Sequence, residues 1–358
     1  MIDLARDRRM PSQDRFITLD GMRGLAALVV AGSHISELVG LGDPPHAHLA
    51  GDFFFVLSGF VIAHAYERRM ATTMRPIDFI RVRVIRLHPL IALGSGISLA
   101  AALAGSFSGD GPGAAMMLWT AVAAMLMIPV HSGSWPADFP LDGPAWFLFA
   151  EYAANIAFAL LAVTLTAARL RLILLAGIAM LLVLAVGPAG LESYWRVDLV
   201  GLSLLRVVYP YFAGVLINWL HRTGASAPGI SPLLAMTILS AILLAPLTAF
   251  DTAFEFAMIV AVFPPLVLAS ARDRLTERQA KWMLIAGRLS YPLYMLHFPL
   301  AVLLVPLALS ALPPAAALAS VMLVVAGASH LALRYYDEPL RAWLSTCWRS
   351  AQRQTIVA

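Results

Sequence analysis

Eleven apolar runs follow one another along this chain, and each is close to the length that a helix needs to cross a lipid bilayer. A spanning helix requires roughly 20 mainly apolar residues, and 60% of the 358 residues are hydrophobic. A water-soluble fold could not cover so much apolar surface. The runs occupy about 19–41, 51–66, 87–105, 114–130, 145–166, 172–187, 199–219, 231–247, 254–271, 287–309 and 315–335. The sequence therefore predicts an all-α, polytopic membrane helical bundle.

The gaps between the runs fall into two classes by charge, and basic gaps favour the cytoplasmic side of a membrane. Basic residues recur at 6–15, 67–86, 169–171, around Arg222, at 272–288 and after 334. The gaps predicted to lie outside contain a single basic residue, Arg196, and are 106–113, 131–143, 188–198, 248–253 and 310–314. If both gaps beside the run 114–130 lie outside, that run is a re-entrant or surface helix. About ten transmembrane helices then remain, with both termini cytoplasmic.

One membrane domain accounts for nearly the whole chain, since we find no internal repeat and no low-complexity linker. We place it at 19–345, between a cytoplasmic N-terminal segment, 1–18, and a cytoplasmic tail, 346–358. The single cysteine, Cys347, excludes an internal disulfide and a cysteine-based metal site, and we expect no metal. The net charge of +4 is spread over short clusters. That distribution indicates membrane topology and local anion sites, with lipids rather than nucleic acid as partners.

The first run contains ionisable residues, which are costly in lipid and usually face a cavity lined by protein or water. Among them are Asp20, Arg23 and His34. Arg23 and His34 are eleven residues apart, which returns them to within roughly 20° of one helix face and separates them by about 16 Å along the axis. Asp20 and Arg23 could simply pair with each other, while His34 makes an ordinary buried hydrogen bond. The functional alternative is a general base at His34.

The second run and the basic stretch after it carry further candidates. Asp52 opens the second run on the outer side, and Ser58 and Gly59 lie near its middle. Gly59 could equally serve close helix packing. Arg83 and Arg86 share a helix face by their i,i+3 spacing. They could anchor the chain to lipid phosphates, or they could form a phosphate-binding cluster at the cytoplasmic mouth of the Arg23–His34 face.

Three segments together resemble the acyltransferase-3 family of bacterial membrane O-acyltransferases: RFITLDGMRGLAALVVAGSH, GDFFFVLSGF and FIRVRVIRLHPL. The family has an essential Arg and His in its first helix, matched here by Arg23 and His34. Its R-x-x-R motif matches Arg83 and Arg86, and its Phe-Phe…Ser-Gly-Phe segment matches 54–60. The resemblance implies ten spans in a bacterial cytoplasmic (inner) membrane.

Later segments extend the resemblance over nearly the whole chain. WFLFAE is similar to the family's Trp-Ser-Leu-x-x-Glu element, with Phe147 in place of the Ser and Glu151 in register. RLSYPLYMLHFPL, which contains His297, and YYDEPLRAW are similar to its closing segments. From the predicted spans, Glu151 should lie about 9 Å below the outer surface, near the depth of His34, with His297 near the midplane. Glu151 could instead hold a packing hydrogen bond, and His297 could be an ordinary core histidine.

The resemblance implies transfer of an acyl group, expected to be acetyl, from cytoplasmic acyl-CoA to a hydroxyl of an extracytoplasmic or lipid-linked glycan. His34 would be the general base or a transient acyl carrier, and Glu151 would orient its imidazole. The residues assigned to the site are His34, Glu151 and Arg23 as catalytic, Arg83, Arg86 and Arg23 as acyl-CoA-binding, and Asp52, Ser58 and His297 as substrate-binding.

A transporter is the rival hypothesis, because intramembrane His, Glu and Arg residues also form proton relays. Transporters commonly show paired hydrophobic halves related by an internal repeat, and this sequence shows no such pairing. The acceptor, the length of the acyl chain and the oligomeric state are not encoded in any pattern that we find.

Overall fold

The structure is a computed structural model that describes residues 15–106, 114–130, 139, 142–187, 190–191, 200–224, 229–272 and 275–357. Within these ranges the regular structure is helical and contains no strand, so the predicted all-α bundle is confirmed. Most of the N-terminal segment 1–18 lies outside the described residues, as do most of the gaps at 106–113, 131–143 and 188–198.

The described residues form thirteen α-helices, two of which are preceded by short π-helical segments. The helices are α1 (Ile17–Leu38), α2 (Leu49–Thr72), α3 (Pro76–Ser106), α4 (Ala114–Met125), α5 (Ala145–Leu161), α6 (Ala167–Val186), α7 (Val200–Arg222), α8 (Pro232–Leu243), α9 (Asp251–Ala257), α10 (Phe263–Ser270), α11 (Glu277–Leu309), α12 (Pro314–Ala332) and α13 (Glu338–Val357). The π-helical segments are Met258–Val262, before α10, and Leu333–Asp337, before α13.

Every apolar run of the sequence contains helix, but the helices differ in length. In the described part of the chain, seven helical stretches are long and apolar enough to cross a membrane. They are Leu49–Thr72, Pro76–Leu103, Ala167–Val186, Gly201–Arg222, Asp251–Ser270, Glu277–Leu309 and Pro314–Ser350. The helix α4 has only 12 residues, or about 18 Å, against a hydrocarbon core of about 30 Å. That length fits the re-entrant or surface helix, while the count of ten spans stays a prediction.

Helices α1 and α11 run parallel in close contact, and this pair positions most of the site. Small residues at the crossing allow the approach: Gly24 lies directly against Ala286, and Gly287 lies against Asp20. Further along the same pair, His34 meets His297. Both Arg23 and His34 therefore face α11, which confirms that they share a helix face, as their spacing predicted.

Helices α2 and α7 form a second close pair through Gly59 and Gly214. A Cβ added at Gly59 would overlap the backbone carbonyl of Tyr211, and one at Gly214 would overlap the backbone of Val56. The packing interpretation of Gly59 is thus confirmed. This crossing brings the middle of α2, with Ser58, against the centre of the bundle.

Helix α11 begins at a capping box. The Thr276 hydroxyl accepts a hydrogen bond from the Gln279 backbone, and the Gln279 side chain accepts one from the Thr276 backbone, so two otherwise free helix-start N–H groups are satisfied. At the other end of the chain, α12 continues through the π-helical segment into α13. The predicted tail, 346–358, therefore begins within a helix.

Candidate active site

A cavity of about 190 Å³ opens between α1, α2, α3, α5 and α11. Apolar side chains of α2, α3 and α5 form much of its wall. Its charged and hydroxyl-bearing lining residues include Arg23, Ser58, Arg83, Arg86, Glu151 and Ser290. The cavity therefore brings together five of the residues that the sequence assigned to the site, with Ser290 as an addition.

Arg23 is fixed at the α1–α11 contact by three hydrogen bonds. One Nη atom donates to Asp20 Oδ1 at 2.7 Å and to the Gly287 carbonyl at 3.1 Å, and Nε donates to Ser290 Oγ at 3.0 Å. Arg15 shares the Asp20 carboxylate at 2.8 Å. The predicted Asp20–Arg23 pair exists, and it holds the guanidinium at the cavity wall rather than removing it from the site.

Arg83 forms a buried ion pair with Glu151. Its Nη2 lies 2.5 Å from Glu151 Oε1, and the Ser58 hydroxyl donates to the same oxygen at 3.1 Å. The two charged side chains are only 7% and 12% exposed. Arg83 is therefore neutralised within the protein, which the sequence did not predict.

This ion pair corrects the predicted depth and role of Glu151. The prediction placed Glu151 beside His34, but its contacts are Arg83 and Ser58. The physical reason lies at the start of α5. The Pro144 carbonyl, just before that helix, accepts a hydrogen bond from the Tyr294 hydroxyl of α11, so α5 begins in contact with α11 close to the histidine pair. Six residues of helix from there carry Glu151 to the arginine cluster.

Arg86 differs from the other two arginines of the cavity. It lines the cavity and its side chain is exposed. Within the described ranges, Arg86 has no hydrogen bond or ion pair. Since Arg23 and Arg83 are already bonded, Arg86 supplies the guanidinium that is free to bind an anion.

His34 pairs with a second histidine, His297 of α11. His34 Nδ1 lies 2.8 Å from His297 Nε2, and the planes of the two rings are inclined by only 7°. His297 is fully buried, and its Nδ1 lies 2.6 Å from the Tyr294 carbonyl oxygen and 3.2 Å from that of Leu293. The structure therefore brings together His34 and His297, two of the three polar groups that were expected to converge.

Aromatic side chains line the part of the arginine cavity that lies nearest the histidine pair. The Tyr294 ring lines the cavity and has its centroid 5.8 Å from that of His297. Phe147 packs on Tyr294 at 5.4 Å and stacks on Phe55 at 4.4 Å. Sequence analysis missed Tyr294, although its position three residues before His297 places it on the same helix face. Phe147 contributes a wall where the family pattern has a hydroxyl.

Asp52 was predicted to bind substrate, but the structure gives it another partner. Both carboxylate oxygens of Asp52 accept hydrogen bonds from Arg206 of α7. Asp52 is 1% exposed and Arg206 is 4% exposed. Sequence analysis passed over Arg206, because a single arginine inside an apolar run gives no spacing pattern. This pair joins α2 to α7, and Asp52 is not among the residues that line the cavity.

Asp142 and Arg75 are ionisable residues outside the predicted membrane-spanning runs. Asp142 is buried before α5, and this burial raises the pKa of its carboxyl well above the usual value. Arg75 donates to Asp78 at 2.9 Å in an exposed ion pair, which raises the pKa of the Arg75 guanidinium. Neither residue lines the cavity.

Comparison with known proteins identifies the family to which the chain belongs. The acyltransferase domain of the acyltransferase-3 family matches residues 16–333. Protein 2 in picA locus, from Rhizobium radiobacter, is 34% identical over 164 residues, which is 41% of this chain and 82% of that protein. Exopolysaccharide production protein ExoZ, from Rhizobium meliloti (strain 1021), is 34% identical over 97 residues, 27% of this chain and 28% of ExoZ. No solved structure matches the chain significantly.

The family match covers most of the chain, and its residues form a bundle of apolar helices of membrane-crossing length. The match also includes every residue that forms the arginine cavity and the histidine pair. This chain belongs to the acyltransferase-3 family and is a membrane acyltransferase.

Proposed function

We propose that this chain moves an acyl group, acetyl in the simplest case, from cytoplasmic acyl-CoA to a hydroxyl of an extracytoplasmic or lipid-linked glycan. The observation that carries the proposal is the unpaired Arg86 in a cavity that also holds Arg23 and Arg83. His34 lies about 16 Å further along the helix that carries Arg23. The arginine cavity and the His34 imidazole thus lie at different positions along the α1–α11 pair.

The charges of the cavity favour an anionic donor. Three guanidinium groups line it against the single carboxylate of Glu151, and Asp20 balances Arg23 from behind. A guanidinium forms paired hydrogen bonds with phosphate, so Arg86 is suited to a phosphate group of CoA. Arg23 and Arg83 are each balanced by a carboxylate, so Arg86 carries the uncompensated positive charge of the cavity.

The transfer exchanges a thioester for an ester. The acceptor hydroxyl oxygen forms a bond to the acyl carbon while the carbon–sulfur bond breaks. His34 takes the hydroxyl proton and returns it to the departing CoA sulfur, so the products are the acylated glycan and CoA thiol. In the alternative, His34 carries the acyl group briefly before the hydroxyl attacks. Both routes end with the same products.

Two further observations support the orientation and the acceptor. The basic residues between α2 and α3 favour the cytoplasmic side, which supports an orientation with the arginine cavity toward cytoplasmic acyl-CoA and with both termini inside a bacterial inner membrane. The name of the relative ExoZ concerns exopolysaccharide production, and a polysaccharide offers many hydroxyl groups. Membrane lipids would surround the bundle.

The test measures acyl-CoA binding and transfer by the purified full chain in lipid nanodiscs. Arg86→Gln should weaken the affinity for acetyl-CoA at least tenfold, and Arg86→Lys should restore it only in part, because Lys offers a point charge instead of a planar fork. Arg81→Gln is the matched control, since Arg81 is exposed on the same helix, lies near Asp78 and does not line the cavity. If Arg86→Gln leaves the affinity for acetyl-CoA unchanged, Arg86 does not bind the donor, and the alternative that it anchors the chain to lipid phosphates is favoured. Solute-coupled proton movement in proteoliposomes without acyl-CoA would favour the transporter instead.

A further inference from the structure

The hydrogen bonds of His297 determine which of its ring nitrogens carries the proton. Its Nδ1 has two neighbours within hydrogen-bond distance, the carbonyl oxygens of Tyr294 and Leu293. A carbonyl oxygen only accepts hydrogen bonds, so Nδ1 must be the protonated, donating nitrogen. In the neutral ring, Nε2 of His297 is then an acceptor with a lone pair.

The same reasoning carries over to His34. Its Nδ1 lies 2.8 Å from His297 Nε2, which is an acceptor, so His34 must donate from Nδ1. The proton of neutral His34 therefore sits on Nδ1, and its Nε2 keeps a free lone pair. When Nε2 takes a proton or an acyl group, the Nδ1–H bond to His297 is retained.

Within the described residues, no carboxylate accepts the hydrogen bond from His34 Nδ1–H. Glu151 is committed to Arg83 and Ser58. Asp43 interacts electrostatically with His34, but its carboxylate accepts a hydrogen bond from Ser33 rather than from His34. The Phe298 ring of α11 also lies near His34, with a centroid distance of 5.9 Å. His297 thus occupies the place that a carboxylate holds beside many catalytic imidazoles.

We propose that His297 is a positioning residue that holds His34 in its Nδ1–H tautomer, so that His34 Nε2 is the reactive nitrogen. This inference rests on the proposed function. In the transfer, Nε2 removes the proton from the acceptor hydroxyl as the ester bond forms, and the positive imidazolium is stabilised by donation to His297. The proton then passes from Nε2 to the CoA sulfur released by the broken thioester. His297 itself does not contact substrate, in contrast to the substrate-binding role predicted from sequence.

The test compares His297→Leu, which removes the acceptor, with His297→Gln, whose amide oxygen can accept from His34 Nδ1–H. His297→Leu should lower kcat by roughly 10²-fold or more, since tautomer control is worth up to about 10⁴-fold in catalytic imidazoles. The KM for acyl-CoA should stay within about twofold, because no contact of His297 lies on Arg86. His297→Gln should recover at least tenfold of the lost kcat. Phe298→Leu is the control for packing against His34.

Tautomer state is read directly from ¹⁵N shifts of histidine-labelled protein, assigned by comparison with His34→Ala. The wild type should show the Nδ1–H form for His34, and His297→Leu should show a mixture of the two forms. An Nε2–H tautomer in the wild type would overturn the proposal, even if the Leu variant does not fold. Equal kcat in the Leu and Gln variants would also overturn it. Full transfer by His34→Ala would instead defeat the proposed function, so the two failures are distinguishable.

Discussion

Glu151→Gln offers the sharpest test of how the site is arranged. The substitution keeps the shape of the side chain but removes the negative charge that Arg83 faces at 2.5 Å. Arg83 is only 7% exposed, so its positive charge would remain buried without a counter-charge. Removing one partner of a buried ion pair typically costs about 3–5 kcal/mol.

The amide oxygen of Gln can still accept a hydrogen bond from Arg83 or from Ser58. The expected loss of stability therefore lies at the lower end of this range. We expect a loss of about 3 kcal/mol, or roughly a hundredfold in the folding equilibrium constant. Adding Arg83→Gln removes the orphaned charge. The double variant should therefore be less destabilised than the sum of the single variants, by about 2 kcal/mol.

The assay is reversible denaturation in mixed detergent micelles, followed together with the pH profile of kcat. The pH profile should not change in Glu151→Gln, since Glu151 contacts Arg83 and Ser58 rather than His34. Asp78→Asn is the control, because Asp78 forms an exposed ion pair with Arg75, and exposed pairs contribute little. Unaltered stability of Glu151→Gln with a displaced pH profile would refute this reasoning and restore Glu151 as the partner of His34.

Three further predictions follow from single features of the structure. His34→Ala should abolish transfer while acetyl-CoA binding by isothermal calorimetry persists, because Arg86 lies apart from the imidazole; retained transfer would contradict the assignment. Gly59→Ala should destabilise the protein by about 1–3 kcal/mol, since its Cβ would overlap the Tyr211 carbonyl, whereas Gly32→Ala, with open space around it, should not. Burial raises the pKa of Asp142, so the folded state keeps this proton after the unfolded carboxyl ionises near about pH 4, and stability falls as pH rises. Asp142→Asn should therefore raise Tm at pH 7 and flatten the dependence of Tm on pH between 4 and 8; an equal slope in both proteins would contradict the buried neutral acid.

The sequence alone determined the features that depend on local pattern. Apolar runs of membrane length predict a helical bundle because backbone polar groups in lipid must be satisfied within the segment. The helical repeat placed Arg23 and His34 on one face, and the structure packs that face against α11. The motifs in α1 to α3 were enough to indicate the acyltransferase-3 family, because each motif lies within a single helix. Such a local pattern can be recognised without knowing how the helices pack.

Only the tertiary structure decided which polar groups meet across helices. Glu151 was expected near His34 because its depth was counted from a helix start assumed to lie at the membrane surface. The start of α5 is instead in contact with Tyr294 of α11, and Glu151, further along α5, reaches Arg83, 68 residues away in sequence. The pairing of His34 with His297, 263 residues apart, likewise follows from the parallel packing of α1 on α11. Such contacts depend on the position of each helix along its axis and on its rotation about that axis. Tertiary packing determines both, and the hydropathy of the sequence does not indicate either.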